Sequence, residues 1–345
     1  MTKQIHIGGV PIGGGAPVSI QSMCNTPTED VEATVAQIHR LEQAGCDIIR
    51  VAVPNKEAAR AVGAIKERIS IPLVVDIHFD YRLALEAVAA GADKVRINPG
   101  NIGGEDRVKA VAQACRAKGV PIRIGVNGGS LEKGLLEKYG GVTPEALVES
   151  AFGHIALLNK FDFDDICVSL KSSDVRTTMA AYRLMSERSG YPLHLGVTET
   201  GTRRMGVIKS AVGIGGLLGF GIGDTLRVSL SADPVEEVYA ARDILKALGI
   251  RKDGPDLISC PTCGRTKIDL IGLAEEVERR LQAVDKPITV AVMGCVVNGP
   301  GEASAADVGI AGGDGVGLLF RKGEIVKKVP QERLVDELFA LIDTL

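Results

Sequence analysis

Asp47-Ile-Ile-Arg-Val-Ala-Val53, Leu73-Val-Val-Asp-Ile-His78 and Lys94-Val-Arg-Ile-Asn-Pro99 are short apolar, mostly β-branched runs, each followed by a segment long enough for one helix. Runs of this length bounded by turn residues read as strands buried on both faces. Five more continue the rhythm: Val18–Met23, Pro121–Asn127, Asp165–Lys171, Leu193–Thr198 and Thr225–Ser231. Helical patterns fill the intervals at Val31–Ala44, Lys56–Arg68, Arg82–Ala90, Glu105–Lys118, Pro144–Leu158, Asp174–Ser189 and Pro234–Leu248. Gly45, Gly91, Gly119 and Gly249 stand just past helix ends, where a left-handed residue is wanted. Strict alternation of strand and helix predicts parallel pairing through right-handed crossovers. Eight such units predict an α/β fold of the TIM (β/α)8 barrel type. An open doubly wound sheet is the alternative, but none of the eight runs looks like an edge strand.

Outside the eight units, Ile5-His-Ile-Gly-Gly-Val-Pro-Ile12 reads as a small hairpin under the barrel. After Ile250 the rhythm breaks at the charged stretch Arg251-Lys-Asp-Gly-Pro-Asp256, which suits a linker. The expected division is a barrel over residues 1–250 and a small α/β domain over 251–345. In the latter, strands fall at Leu257–Ser259, Thr289–Met293, Val308–Ala311 and Gly315–Phe320, with helices at Gly272–Ala283 and Arg333–Leu345.

Charged residues inside the barrel strands are the first functional signal. Arg50, Arg96, Arg123, Lys171 and Arg227 each interrupt an apolar run, and the two-residue period puts Arg96 with Asn98, Arg123 with Asn127, Ser169 with Lys171, and Arg227 with Ser229. A buried cation without a partner is costly. Asp76 and Glu199 are the carboxylates at matching positions, so five cations against two anions leave room for a strongly anionic ligand such as a diphosphate. The alternative, salt bridges in lower barrel layers, is even-handed for one arginine and weaker for the set. Asn98, Asn101, Asn127, Ser169, Ser172 and Thr198 add polar caps suited to an oxygen-rich substrate, and His78 and His194 read equally as structural residues or contacts.

The second signal is Cys260-Pro-Thr-Cys263 followed by Gly294-Cys295-Val-Val-Asn298-Gly-Pro-Gly-Glu302. Two thiols three apart can grip one metal centre from a single turn, and a third can close on it from another loop. No histidine follows His194, so a Cys/His zinc set cannot be completed locally. Glu302 is the nearest plausible oxygen ligand. Thiolates are the usual holders of iron–sulfur clusters, and the spacing favours one over zinc, which stays open. Cys24, Cys46, Cys115 and Cys167 read as small buried apolar residues.

Composition narrows the rest. The chain has 345 residues, a net charge of −3 and 3% aromatic residues, so no nucleic-acid-binding surface is indicated. No apolar run reaches the length needed to cross a bilayer. An odd count of 7 cysteines and no leader-like start predict a reducing cytoplasm.

Taken together, the pieces resemble the 4-hydroxy-3-methylbut-2-enyl diphosphate synthase family of non-mevalonate isoprenoid biosynthesis. The resemblance covers essentially the whole chain and rests on Val18-Ser-Ile-Gln-Ser-Met23, Val75-Asp-Ile-His-Phe-Asp-Tyr-Arg82, Arg96-Ile-Asn-Pro-Gly-Asn-Ile-Gly103, Gly221-Ile-Gly-Asp-Thr-Leu-Arg-Val-Ser-Leu230 and both cysteine motifs. It implies two-electron reductive ring opening of 2-C-methyl-D-erythritol 2,4-cyclodiphosphate. It further implies a [4Fe-4S] cluster on Cys260, Cys263, Cys295 and Glu302. The diphosphate positions are Arg96, Arg123, Asn127, Lys171, Arg227 and Ser229, with Arg50, Asp76 and Glu199 near the reacting carbons and Glu199 as proton donor. Electrons are expected from reduced flavodoxin or ferredoxin. A head-to-tail homodimer, in which one chain's cluster domain caps the other's barrel, is expected as well. Two readings of other classes compete: a zinc-stabilised barrel enzyme acting on phosphorylated substrates, and a zinc-ribbon module.

Overall fold

The computed structural model describes residues 1–295, 303–313 and 315–345. The chain forms two compact units, Met1–Ile250 and Arg251–Leu345. No helix among the described residues is long and apolar enough to cross a membrane.

In the first unit, the hairpin β1 (Ile5–Ile7) and β2 (Val10–Ile12) precedes eight parallel strands. These are β3 (Ser19–Met23), β4 (Ile48–Ala52), β5 (Leu73–Asp76), β6 (Lys94–Ile97), β7 (Ile122–Asn127), β8 (Ile166–Lys171), β9 (His194–Leu195) and β10 (Thr225–Leu226). They pair in chain order from β3 to β8, β10 pairs with both β3 and β9, and a single bridge from Val168 to Leu193 closes the ring. The expected barrel is therefore present. Its strands alternate between a helix-packed outer face (Ile49, Val51, Val75, Val95, Ile124, Leu170) and an inner face.

Side-chain caps set where the outer helices begin. Asp30, Asn55, Asp80, Thr143, Asp174 and Asp233 each accept a hydrogen bond from a backbone N–H in the first turn of the helix that follows. These caps fix the loops at the upper ends of the strands, which is where this fold places its chemistry.

The hairpin plugs the barrel's lower end. Ile5, Ile7 and Ile12 form one buried cluster with Ile48, Val74 and Cys167, the inward residues lowest on β4, β5 and β8. Each such side chain contributes about 1.5–3 kcal/mol on burial. Lys3 ties the hairpin to Asp164 and Asp165 at 2.8 and 3.1 Å, just before β8.

Two strands differ from expectation. The runs Leu193–Thr198 and Thr225–Ser231 keep only two ladder residues each. Beyond them, side chains capture the backbone groups: Glu237 accepts the Leu230 N–H at 2.9 Å, and the Thr200 hydroxyl donates to the Ser229 carbonyl.

The second unit is a five-stranded mixed sheet. Parallel β11 (Asp256–Ser259), β12 (Thr289–Met293) and β13 (Val308–Ala311) continue into antiparallel β14 (Val316–Arg321) and β15 (Glu324–Pro330). Val277 and Leu281 from helix Leu270–Leu281, and Leu334, Leu338 and Ile342 from helix Leu334–Asp343, cover Val290, Val292, Ile310 and Leu319.

Candidate active site

Parallel ladders carry the charged positions to one place. Arg96 is in register with Asp76 on β5 and with Arg123 on β7, and Asn127 is in register with Lys171 on β8. Their side chains, with contributions from all eight strands or the loops that extend them, line a cavity of about 270 Å³. Arg50, Asp76, Arg96, Arg123, Lys171 and Arg227 supply its charge. Asn127, Ser169, Thr198, Ser229, His78 and Met23 supply the rest of the wall.

Two glycines let the cations lie flat. A Cβ on Gly125 would stand 2.4 Å from the Arg96 Nε, and one on Gly196 would stand 3.2 Å from the Lys171 Cε. Both long side chains cross bare backbone there, a close approach that any larger residue would block.

Charge balance in the cavity is incomplete. Asp76 lies between Arg96 at 3.0 Å and Arg50 at 3.8 Å. Burial would raise its carboxyl, but the two guanidiniums outweigh this and hold it at about 2. Arg227 meets the buried Glu237 at 3.2 Å. Among the described residues Arg123 hydrogen-bonds to the Gln21 amide oxygen alone, at 3.3 Å, and burial together with Arg96 brings its guanidinium down to about 10. Lys171 has no carboxylate within ion-pair distance among the described residues. Burial, then Arg50, Arg227, Arg123 and Arg96, push its ammonium well below the usual lysine value.

Glu199 stands apart from that wall. It is exposed at the rim, next to Thr198, and its φ of 55° is left-handed for a residue with a side chain. Asn98 and Ser172 are absorbed by local structure: Asn98 accepts the Gly100 N–H at 3.1 Å, and the Ser172 hydroxyl accepts the Asp174 N–H at 3.2 Å. His194 is fully buried below the cavity, and burial pushes its imidazole well below the usual value, which keeps it neutral. His78, by contrast, reaches the wall. Glu237 is the residue that sequence reasoning missed; the available signal was its place on the apolar face of helix Pro234–Ala247, with Val238, Ala241 and Ile244.

In the second unit, Cys260 and Cys263 follow β11 and Cys295 follows β12. Since these strands are parallel neighbours, all three thiols emerge at the same edge of the sheet. The Gly294 N–H donates to the Cys260 sulfur at 3.1 Å, and the Arg265 backbone N–H lowers the Cys263 thiol from its usual range. N–H donors aimed at sulfur favour thiolates, as a soft-metal centre needs. These three are the cysteines that are not buried; burial pushes Cys24, Cys46 and Cys115 up to about 12 and keeps them inert. Among the described residues no three acidic, cysteine or histidine side chains are yet gathered as a closed ion site. Glu302 lies outside the described residues.

A closed parallel barrel with a cationic mouth, carried on one chain with a thiol-bearing α/β unit, defines a two-unit TIM-barrel protein built to receive an anion. Family models identify it further: residues 2–242 match the GcpE TIM-barrel domain and residues 256–344 the GcpE protein C-terminal domain. The chain belongs to the GcpE family. It is 61% identical over 343 residues to the 4-hydroxy-3-methylbut-2-en-1-yl diphosphate synthase (flavodoxin) of Caldanaerobacter subterraneus, covering 99% of this chain and 97% of that one. The proteins of the same name from Clostridium perfringens and Geobacter sulfurreducens are each 60% identical, covering 100% and 99% of this chain, and 99% and 97% of theirs. Among solved structures, the Yersinia pestis dihydropteroate synthase superposes with a TM-score of 0.53 at 14% identity, over 72% of this chain and 98% of that one. A type I 3-dehydroquinate dehydratase from Clostridium difficile also gives 0.53, at 17% identity over 72% of this chain and 98% of that one. These two likenesses concern the barrel fold alone.

Proposed function

We propose that the protein opens 2-C-methyl-D-erythritol 2,4-cyclodiphosphate reductively to 4-hydroxy-3-methylbut-2-enyl diphosphate. Two electrons and protons enter, a ring C–O bond breaks and water leaves. One observation carries the reading: a cavity where five cations meet one wall carboxylate, in a chain related end to end to synthases of that name. Arg96, Arg123, Lys171 and Arg227, with Asn127 and Ser229, hold the diphosphate, whose charge offsets the excess of cations over carboxylates among the described residues of the wall. Arg50 and Asp76 form a fixed pair beside the reacting carbons, and an Asp76 carboxyl held at about 2 stays ionised at neutral pH, orienting rather than donating protons. Glu199, at the rim, is the proton donor.

Cys260, Cys263 and Cys295, with Glu302, would hold a [4Fe-4S] cluster, and the convergence of three unburied thiols at one sheet edge supports that ligand set. Such a cluster supplies single electrons and a Lewis-acid iron for an oxygen that leaves poorly. Reduced flavodoxin, named for the relatives, or a ferredoxin is the donor in a reducing cytoplasm.

The test is iron, sulfide and zinc content after anaerobic purification, followed by turnover of the cyclodiphosphate. About four irons and four sulfides per chain, with a brown colour bleached by air and reductant-dependent product, are expected. One zinc and no colour, even after reconstitution with iron and sulfide, would leave a phosphate-binding barrel without this chemistry.

A head-to-tail dimer in which one chain's cluster serves the other chain's barrel completes the proposal. Cys260→Ser and Glu199→Gln chains, each inactive alone, are expected to regain activity when mixed and reassembled. Mixtures that stay inactive despite exchanging subunits would rule out service in trans.

A further inference from the structure

We infer that Glu237 is a positioning residue for the diphosphate site, anchoring Arg227, Ser229 and the loop that bears Glu199 as one unit. Glu237 lies in the first turns of helix Pro234–Ala247 and is 4% exposed. Its carboxylate takes one edge of the Arg227 guanidinium, accepting from Nε at 3.3 Å and Nη2 at 3.2 Å. That leaves Nη1, whose neighbour is the Met23 sulfur at 3.6 Å. A thioether is a weak acceptor, so Nη1 remains available to a stronger one. The same carboxylate accepts the Leu230 N–H at 2.9 Å, which fixes the segment carrying Ser229. The Ser229 carbonyl in turn accepts the Thr200 hydroxyl, joining the residue beside Glu199 to that segment. With β9 and β10 reduced to two ladder residues each, this side-chain chain replaces the missing sheet bonds at the mouth.

A carboxylate here could act differently, as a counter-charge that merely neutralises Arg227 and repels the ligand. The two roles predict opposite signs. As a positioning residue, Glu237→Ala raises KM for the cyclodiphosphate about 30-fold or more in the holoenzyme. Glu237→Gln, which keeps size and one acceptor oxygen, raises it about 5-fold. Both leave iron content unchanged. In an Arg227→Gln background, adding Glu237→Gln costs less than in the wild type, because part of its work passes through Arg227. A counter-charge alone predicts that both Glu237 variants lower KM and tighten inorganic pyrophosphate in calorimetry; that result overturns the proposal. If Glu237→Ala does not fold, the sign for Glu237→Gln decides. The inference rests on Arg227 holding the diphosphate. An Arg227→Gln enzyme with unchanged KM would refute that assignment itself, whereas a raised KM there with unchanged Glu237 variants refutes only the role of Glu237.

Discussion

Replacing Lys171 with methionine is expected to stabilise the unliganded protein while sharply weakening its hold on the diphosphate. The ammonium is buried among Arg50, Arg227, Arg123 and Arg96 and has no carboxylate partner among the described residues. Exchanging an uncompensated buried charge for a well-packed apolar side chain removes a desolvation penalty of roughly several kcal/mol. On the bound side, a charged hydrogen bond to phosphate is lost, about 1.5–3 kcal/mol, or roughly 10- to 150-fold in affinity. The pH dependence follows from linkage. Because the folded-state pKa of Lys171 is lowered, the unfolded chain binds the extra proton between that value and about 10.4, and wild-type stability rises with pH across this window. The advantage of Lys171→Met should therefore shrink as pH rises toward 10. Thermal melts across pH, paired with titrations of the cyclodiphosphate, read both effects. A variant that melts lower and binds as tightly as wild type would mean that Lys171 is an ordinary structural lysine.

Glu199→Gln should abolish turnover, by about 10²- to 10⁴-fold, while iron content, visible absorption and substrate binding remain close to wild type. The backbone supports a functional role. A non-glycine residue at a φ of 55° costs of order 1–3 kcal/mol, and such outliers gather at active sites. Glu199→Gly separates strain from chemistry: it permits the same φ without the cost, so it should be at least as stable and equally inactive. Near-normal turnover in Glu199→Gln would assign the proton to another group.

The barrel was legible because its strands are buried on both faces, which makes each an uninterrupted apolar run broken only by the cations. Those cations were legible for the same reason, since a charge inside such a run has to face the lumen. Glu237 was not. Helix Pro234–Ala247 begins with two adjacent glutamates, of which Glu236 meets the exposed Arg203 at 2.9 Å and Glu237 is buried. Helical spacing sets Glu237 with Val238, Ala241 and Ile244, but only packing shows that its carboxylate turns to Arg227. Strand β15 was hidden too, because a single residue of its seven, Val329, is buried, and the run Glu324-Ile-Val-Lys-Lys shows no alternation. The shortened β9 and β10 carry strand-like sequence to their ends, but their outer backbone groups bond to Glu237 and Thr200, residues outside both ladders.

The isoleucine hairpin under the barrel has a kinetic meaning. A vessel sealed at its base has one doorway. Substrate and product must share that doorway in turn, so one has to leave before the next can enter. Steady-state kinetics should accordingly show product acting as a competitor of substrate for that single entrance, with a sealed base offering no second route of escape.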